Sequence, residues 1–212
     1  MARLLVLFCL FLTFFDALAQ SYQPGYFITP DRKQVKGAIK FNSIQCGHLT
    51  SNGSVPARIE VKPENESKIF EVTADEIRGF VMGLDSFVVM KNIPVSEQGR
   101  FKRDFVKVEA LGHINLYIHS SQIPSGRFGT KIKKVYILLK KGTKKLIAFH
   151  NRYQKEQFKG LISDDPELLS MIENDWRWMD KIPQVIKRYN LRFANFSAVT
   201  RRWAVGRYSV GR

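Results

Sequence analysis

Val135-Tyr136-Ile137-Leu138-Leu139, then Lys140-Lys141-Gly142-Thr143-Lys144-Lys145, then Leu146-Ile147-Ala148-Phe149: two apolar runs are joined by a short basic turn. Runs of this length and composition, parted by a glycine-bearing turn, predict a β-hairpin. The period changes directly after it. Ser163-Asp164-Asp165-Pro166-Glu167 reads as a helix start. Asp165 suits the N-cap, Pro166 the first helical position, and Glu167 the positive end of the helix dipole. Leu168, Leu169, Met171 and Ile172 supply the apolar stripe. Asp180 is expected to cap a last helix, in which Ile182, Val185, Ile186 and Tyr189 recur at i, i+3, i+4 and i+7. Pro183 would then fall in its first turn, where proline is tolerated, and Asn190 would end it.

Upstream of the hairpin the chain reads as short strands. Gly25–Thr29, Val35–Phe41, Ala57–Val61, Lys68–Val72, Phe80–Met82, Phe87–Met90, Phe101–Leu111 and Asn115–His119 are the candidates. Ser43–Pro56 and Ser120–Thr130 read as loops, and Thr73-Ala74-Asp75-Glu76 has capping-box spacing for one short turn. About nine or ten strands with no long helix between them favour an antiparallel meander over βαβ units. The expected class is α+β: an antiparallel, twisted or barrel-like β-sheet followed by a small C-terminal helical cap. The expected divisions are a signal peptide at 1–19, one domain at 20–190 (β-rich 22–150, helical cap 151–190), and a basic aromatic tail at 191–212.

The signal peptide rests on Arg3, the apolar run Leu4–Phe15 and the small-x-small site Ala17-Leu18-Ala19. Elsewhere no stretch approaches the about 20 apolar residues that a spanning helix needs, so no transmembrane helix is expected in the mature chain. Export to the periplasm, to the outer membrane or beyond the cell follows as the expectation. Removing residues 1–19 removes Arg3 and Asp16 together, so the net charge stays at +15. In an exported protein that charge points to anionic envelope components or an outer-membrane protein before nucleic acid. The mature chain would keep one cysteine, Cys46, and therefore no internal disulfide; Cys46 reads as a small buried residue.

No nucleophile elbow, phosphate-binding loop or metalloprotease helix is present. His113 and His119 share a strand parity, but no ligand lies between them at zinc spacing, and they read as strand-end histidines facing solvent. Asp164-Asp165 is explained by helix capping. No catalytic residue, metal ligand or cofactor is expected. The basic clusters are the functional lead: Lys140, Lys141, Lys144 and Lys145 in the hairpin turn, and Arg201, Arg202, Trp203 and Arg207 in the tail. Cations interleaved with aromatics suit an anionic surface. Lysines at strand ends also block edge-to-edge pairing, which is the plain structural reading. The tail is expected as an added strand, a basic arm or an interfacial segment, its glycines arguing against a helix.

Three stretches carry a resemblance. Tyr22-Gln23-Pro24-Gly25-Tyr26-Phe27-Ile28-Thr29 with Val35-Lys36-Gly37-Ala38-Ile39 is similar to a "pGYIvt…dtikG.I" hairpin. Thr73–Phe80 is similar to a "pdeI.gF" segment, and Asp165-Pro166-Glu167-Leu168 through Tyr189-Asn190 to a "cPeL" helix and closing "YN". Together they resemble an uncharacterised exported family of Bacteroidetes-type bacteria, in some of which such a module leads into an outer-membrane barrel. The resemblance implies an envelope module and no chemistry. The expected function is a non-enzymatic binding or structural role through basic and aromatic surface. The alternatives are a hydrolase of envelope glycan or peptide, and a truncated periplasmic domain of a barrel protein.

Overall fold

The hairpin ends a 12-stranded sheet. The computed structural model describes residues 22–42, 46–50, 53–64, 66, 68–95, 99–125, 129–143 and 146–206, with side chains to residue 194 except that of Thr50. The strands are β1 (Gln23–Ile28), β2 (Gln34–Lys40), β3 (Gly47–Thr50), β4 (Gly53–Val55), β5 (Arg58–Pro63) and β6 (Phe70–Thr73). They continue as β7 (Gly79–Met82), β8 (Asp85–Pro94), β9 (Arg100–Ala110), β10 (Ile114–Ser125), β11 (Gly129–Lys140) and β12 (Leu146–Phe149). A 3-10 turn then leads into α1 (Lys155–Leu161), α2 (Pro166–Glu173) and α3 (Trp178–Gly206).

The order across the sheet is β12-β11-β10-β9-β8-β7-β1-β2-β5-β6, and every neighbouring pair along it is antiparallel. The sheet curls into a half-barrel, and the class is broadly α+β as expected. The opening hairpin has the register Tyr136↔Phe149 to Leu139↔Leu146. One parallel contact breaks the meander: β3 pairs with the far half of β10 at Ser121↔Gly47. β3 and β4 lie in the stretch expected as a loop. They are four and three residues long and depend on a distant strand, so local alternation could not show them.

The curl is made where glycines replace side chains. Gly25 and Gly37 face each other across β1 and β2. A Cβ on Gly25 would lie 2.0 Å from the Val81 carbonyl oxygen, and one on Gly37 2.6 Å from that of Lys62. The adjoining strands therefore bend in over both positions, as glycines at sheet corners permit. Inside the curl, Phe80, Phe87 and Phe105 gather around Phe41, with ring centroids 5.3–6.1 Å from it.

A second core lies beneath the helices. Phe149, Phe158 and Trp178 meet there with centroids 5.4–6.1 Å apart, sealed by Ile172, Ile182 and Ile186. Asp165 caps α2 as expected, accepting the Leu168 N–H at 3.1 Å, with Pro166 in the first turn. The Thr73–Glu76 box closes a turn: the Thr73 N–H donates to the Glu76 carboxylate at 2.7 Å.

Three expectations about the last helix are corrected. It starts at Trp178 rather than after Asp180, and the Asp175 carboxylate takes the preceding Arg177 N–H at 2.8 Å. Pro183 consequently lies inside the helix, where the Met179 carbonyl loses the donor that position 183 would supply. The helix also continues past Asn190 to Gly206. Asn190 does not cap, because its side chain is engaged elsewhere: its amide accepts the Ile114 N–H at 2.8 Å and donates to the Ile114 carbonyl at 2.8 Å. Asn190→Ala would leave both groups without that partner, and a loss of about 1–3 kcal/mol is expected. A lowered urea midpoint with unchanged m would show it.

Candidate functional site

The basic turn between β11 and β12 is fixed to its surroundings. Gly142 takes a positive φ of 85°, which glycine adopts without strain. The Thr143 hydroxyl donates to the Lys140 carbonyl at 2.8 Å. The Lys141 N–H donates to the His113 carbonyl at 2.7 Å, tying this turn to the β9–β10 turn. The His113 ring stacks on Phe193 of α3 at 4.1 Å and 12°, and Tyr189 packs against Phe193 at 4.6 Å. Lys140 and Lys141 thus stand beside an imidazole–phenyl stack at the point where α3 runs on. Desolvation, and then the charge of Lys140, hold the His113 pKa below its ordinary value.

Beside the stack lies a hollow of about 240 Å³ lined by Asp164, Asp165, Arg192 and Phe193. Its charges are engaged. Arg192 donates to both oxygens of Asp165 at 2.6 and 2.7 Å and also pairs with Glu167. The Tyr189 hydroxyl donates to Asp164 at 2.9 Å; burial and that bond push the tyrosine pKa well up. Arg192, grouped with the tail in the sequence, therefore belongs to the domain and clamps the N-terminus of α2.

Of the sequence-predicted residues, Lys140 and Lys141 are at this site. Arg201, Arg202 and Trp203 fall on the helical backbone of α3, which corrects the expected strand or arm; their side chains lie outside the described part. Lys144, Lys145 and Arg207 lie outside the described residues altogether. One helix carries Ile182, in the core, and Arg201.

Sequence reasoning missed two features. Trp176 is 67% exposed, with Arg152 4.8 Å and Arg177 5.4 Å from its ring, a second basic–aromatic spot. The other is internal. His119, expected to face solvent, is fully buried, and its Nε2 lies 2.8 Å from Oδ2 of buried Asp104. The other Asp104 oxygen accepts the N–H groups of Ala57 at 2.8 Å and Phe105 at 2.9 Å. This pair fills the fork where β10 parts from β9 and takes β3 instead. The one available signal was Asp104 itself, the sole acid among Lys102–Lys107. His113 and His119, weighed as a metal pair, have separate surroundings, one at the α3 stack and one in the fork.

No protein-family model, curated protein or solved structure matches this chain. Among the described residues, no helix is long and apolar enough to cross a membrane.

Proposed function

We propose that the chain is an exported, non-catalytic module of the cell envelope that binds anionic surface through cations set beside aromatic rings. One observation carries the reading: the Lys140–Lys141 turn is tied to the His113–Phe193 stack, which lies on the helix that bears Arg201 and Arg202. Basic segments separate in sequence thereby share one end of the molecule. Nothing in the fork favours a hydrolase, since the Asp104–His119 pair is sealed and its carboxylate already holds backbone donors.

Sedimentation with lipid vesicles tests the proposal. Retention on vesicles of anionic lipid at low ionic strength, lost at high ionic strength or on zwitterionic lipid, is the expected result. Each lysine near such a surface contributes about 1 kcal/mol, so Lys140→Gln with Lys141→Gln should weaken retention by roughly 30-fold. The His113 ring titration, followed by NMR, should move up on binding as the anionic surface offsets the lysine charge. Salt-insensitive retention, or retention indifferent to the double variant, would defeat the proposal.

A further inference from the structure

A second concavity, remote in sequence from the basic turn, lies on the sheet between the core under the helices and the core inside the curl. Its floor is set by register. Phe87 of β8 is opposite Lys107 of β9, Lys107 is opposite Ile118 of β10, and Ser120 of β10 is opposite Lys134 of β11. Directly opposed residues project to one face, and Ile118 and Ser120 share a face by the period of two. Four adjacent strands therefore present one strip of side chains. Phe41 and Asn42 after β2, and Cys46 before β3, line it as well, and the volume is about 340 Å³.

The chemistry of the lining is uneven. Its body is apolar and aromatic, from Phe41, Phe87, Phe105 and Ile118. Cys46 adds a neutral thiol, its pKa pushed up to about 11 by burial and then by the Asp104 charge. Three charged groups reach the cleft, and two are already paired. Lys107 holds Asp85 at 2.7 Å, and Glu109 is held by Lys187 of α3. Lys134 is exposed and, among the described residues, has no carboxylate within ion-pair distance. The Ser120 hydroxyl sits on the strand beside it.

We propose that this cleft binds an amphipathic monoanion: a single apolar chain or ring whose carboxylate meets Lys134 while its body lies on the phenylalanines. The volume stands at the lower end of small-ligand pockets, which suits one chain and excludes a two-chain lipid. Aromatic walls with one convergent cation give the two halves of such a ligand separate places. The site is independent of the basic turn, and the surface proposal can fail without it.

Isothermal titration of the full chain with decanoate below its micelle concentration, alongside decanol and decylammonium, tests the assignment. Decanoate should bind one to one, about tenfold tighter than decanol, with decylammonium weakest. Lys134→Gln is exposed and leaves the fold intact; it should bring decanoate down to the level of decanol and leave decanol unchanged. Ser120→Trp, which fills the floor, should abolish both. Lys140→Gln with Lys141→Gln should leave decanoate binding as it was, which separates this site from the envelope surface. Equal affinity for acid and alcohol, no effect of Lys134→Gln, or undiminished binding to a folded Ser120→Trp variant would overturn it.

Discussion

Asp104→Ala should lower the stability of the protein by about 3–5 kcal/mol, because several buried groups would each lose a hydrogen-bond partner at about 1–3 kcal/mol apiece. Against a typical total of about 5–15 kcal/mol, that leaves a protein partly unfolded near room temperature or close to it. The size of the effect follows from how many groups depend on one carboxylate. Ala57 and Phe105 donate backbone N–H groups to one oxygen, and the His119 imidazole meets the other, all in a fully buried setting. Truncation would leave each of them facing apolar neighbours such as Phe101, whose ring centroid is 4.8 Å from that of His119. Asp104→Asn keeps an acceptor for the backbone donors and should cost less. His119→Phe leaves Asp104 Oδ2 without its partner while Oδ1 keeps both backbone donors, and should cost less than the alanine at 104. Gly47 is coupled to the same point, because a Cβ there would come within 2.3 Å of Asp104 Oδ2. Gly47→Ala should therefore destabilise by pushing on that carboxylate. Urea unfolding followed by circular dichroism reads the series. A loss below about 1 kcal/mol for Asp104→Ala would mean that the fork is held by packing alone.

Why the fork was invisible in the sequence, while the hairpin was plain, comes down to range. The β11–β12 pairing, the Asp165 cap and the Thr73–Glu76 box join residues within about a dozen positions of each other, and their signals are local periodicity and spacing. The Asp104–His119 pair depends on β10 leaving β9 for β3, which is decided by Ser121 meeting Gly47. No pattern within either strand encodes that meeting. The same contrast explains α3. Asn190 is a fair helix stop when read locally, yet its amide is bonded to Ile114, so the helix passes through it. The basic clusters divide likewise. The lysines at opposite ends of β11 are as far apart as the strand implies, and only the contact between the two turns sets Lys140 and Lys141 against His113 and Phe193. The cleft lined by Phe41 was illegible for a further reason: its lining draws on four strands and on Phe41, Asn42 and Cys46.

Gly25→Val and Gly37→Val should each cost about 3 kcal/mol, at the upper end of the usual range for inserting atoms into a closed space. Neither glycine has a positive φ, so the penalty is not backbone strain at the glycine itself. It comes from the neighbouring strands. The Val81 carbonyl oxygen would meet a new Cβ at 2.0 Å over Gly25, and the Lys62 carbonyl oxygen at 2.6 Å over Gly37. Carbonyl oxygens of a hydrogen-bonded sheet cannot give way without moving their strands, so a side chain at either position opposes the bend between β7, β1, β2 and β5. Opening that bend would also loosen the phenylalanines packed inside it, including Phe41 over the cleft, so decanoate binding should weaken together with stability. Gly160 provides the opposite case. It lies in α1 with nothing within 4 Å of its Cβ position, and Gly160→Ala should stabilise by about 0.5–1 kcal/mol through helix propensity alone. Thermal unfolding of the three variants decides the matter: if Gly25→Val and Gly37→Val melt with the parent chain, the curl does not depend on its glycines. If they melt early while Gly160→Ala melts late, the glycines of the "pGY" and "kG" stretches have a sufficient explanation in the shape of the sheet, and need none in binding.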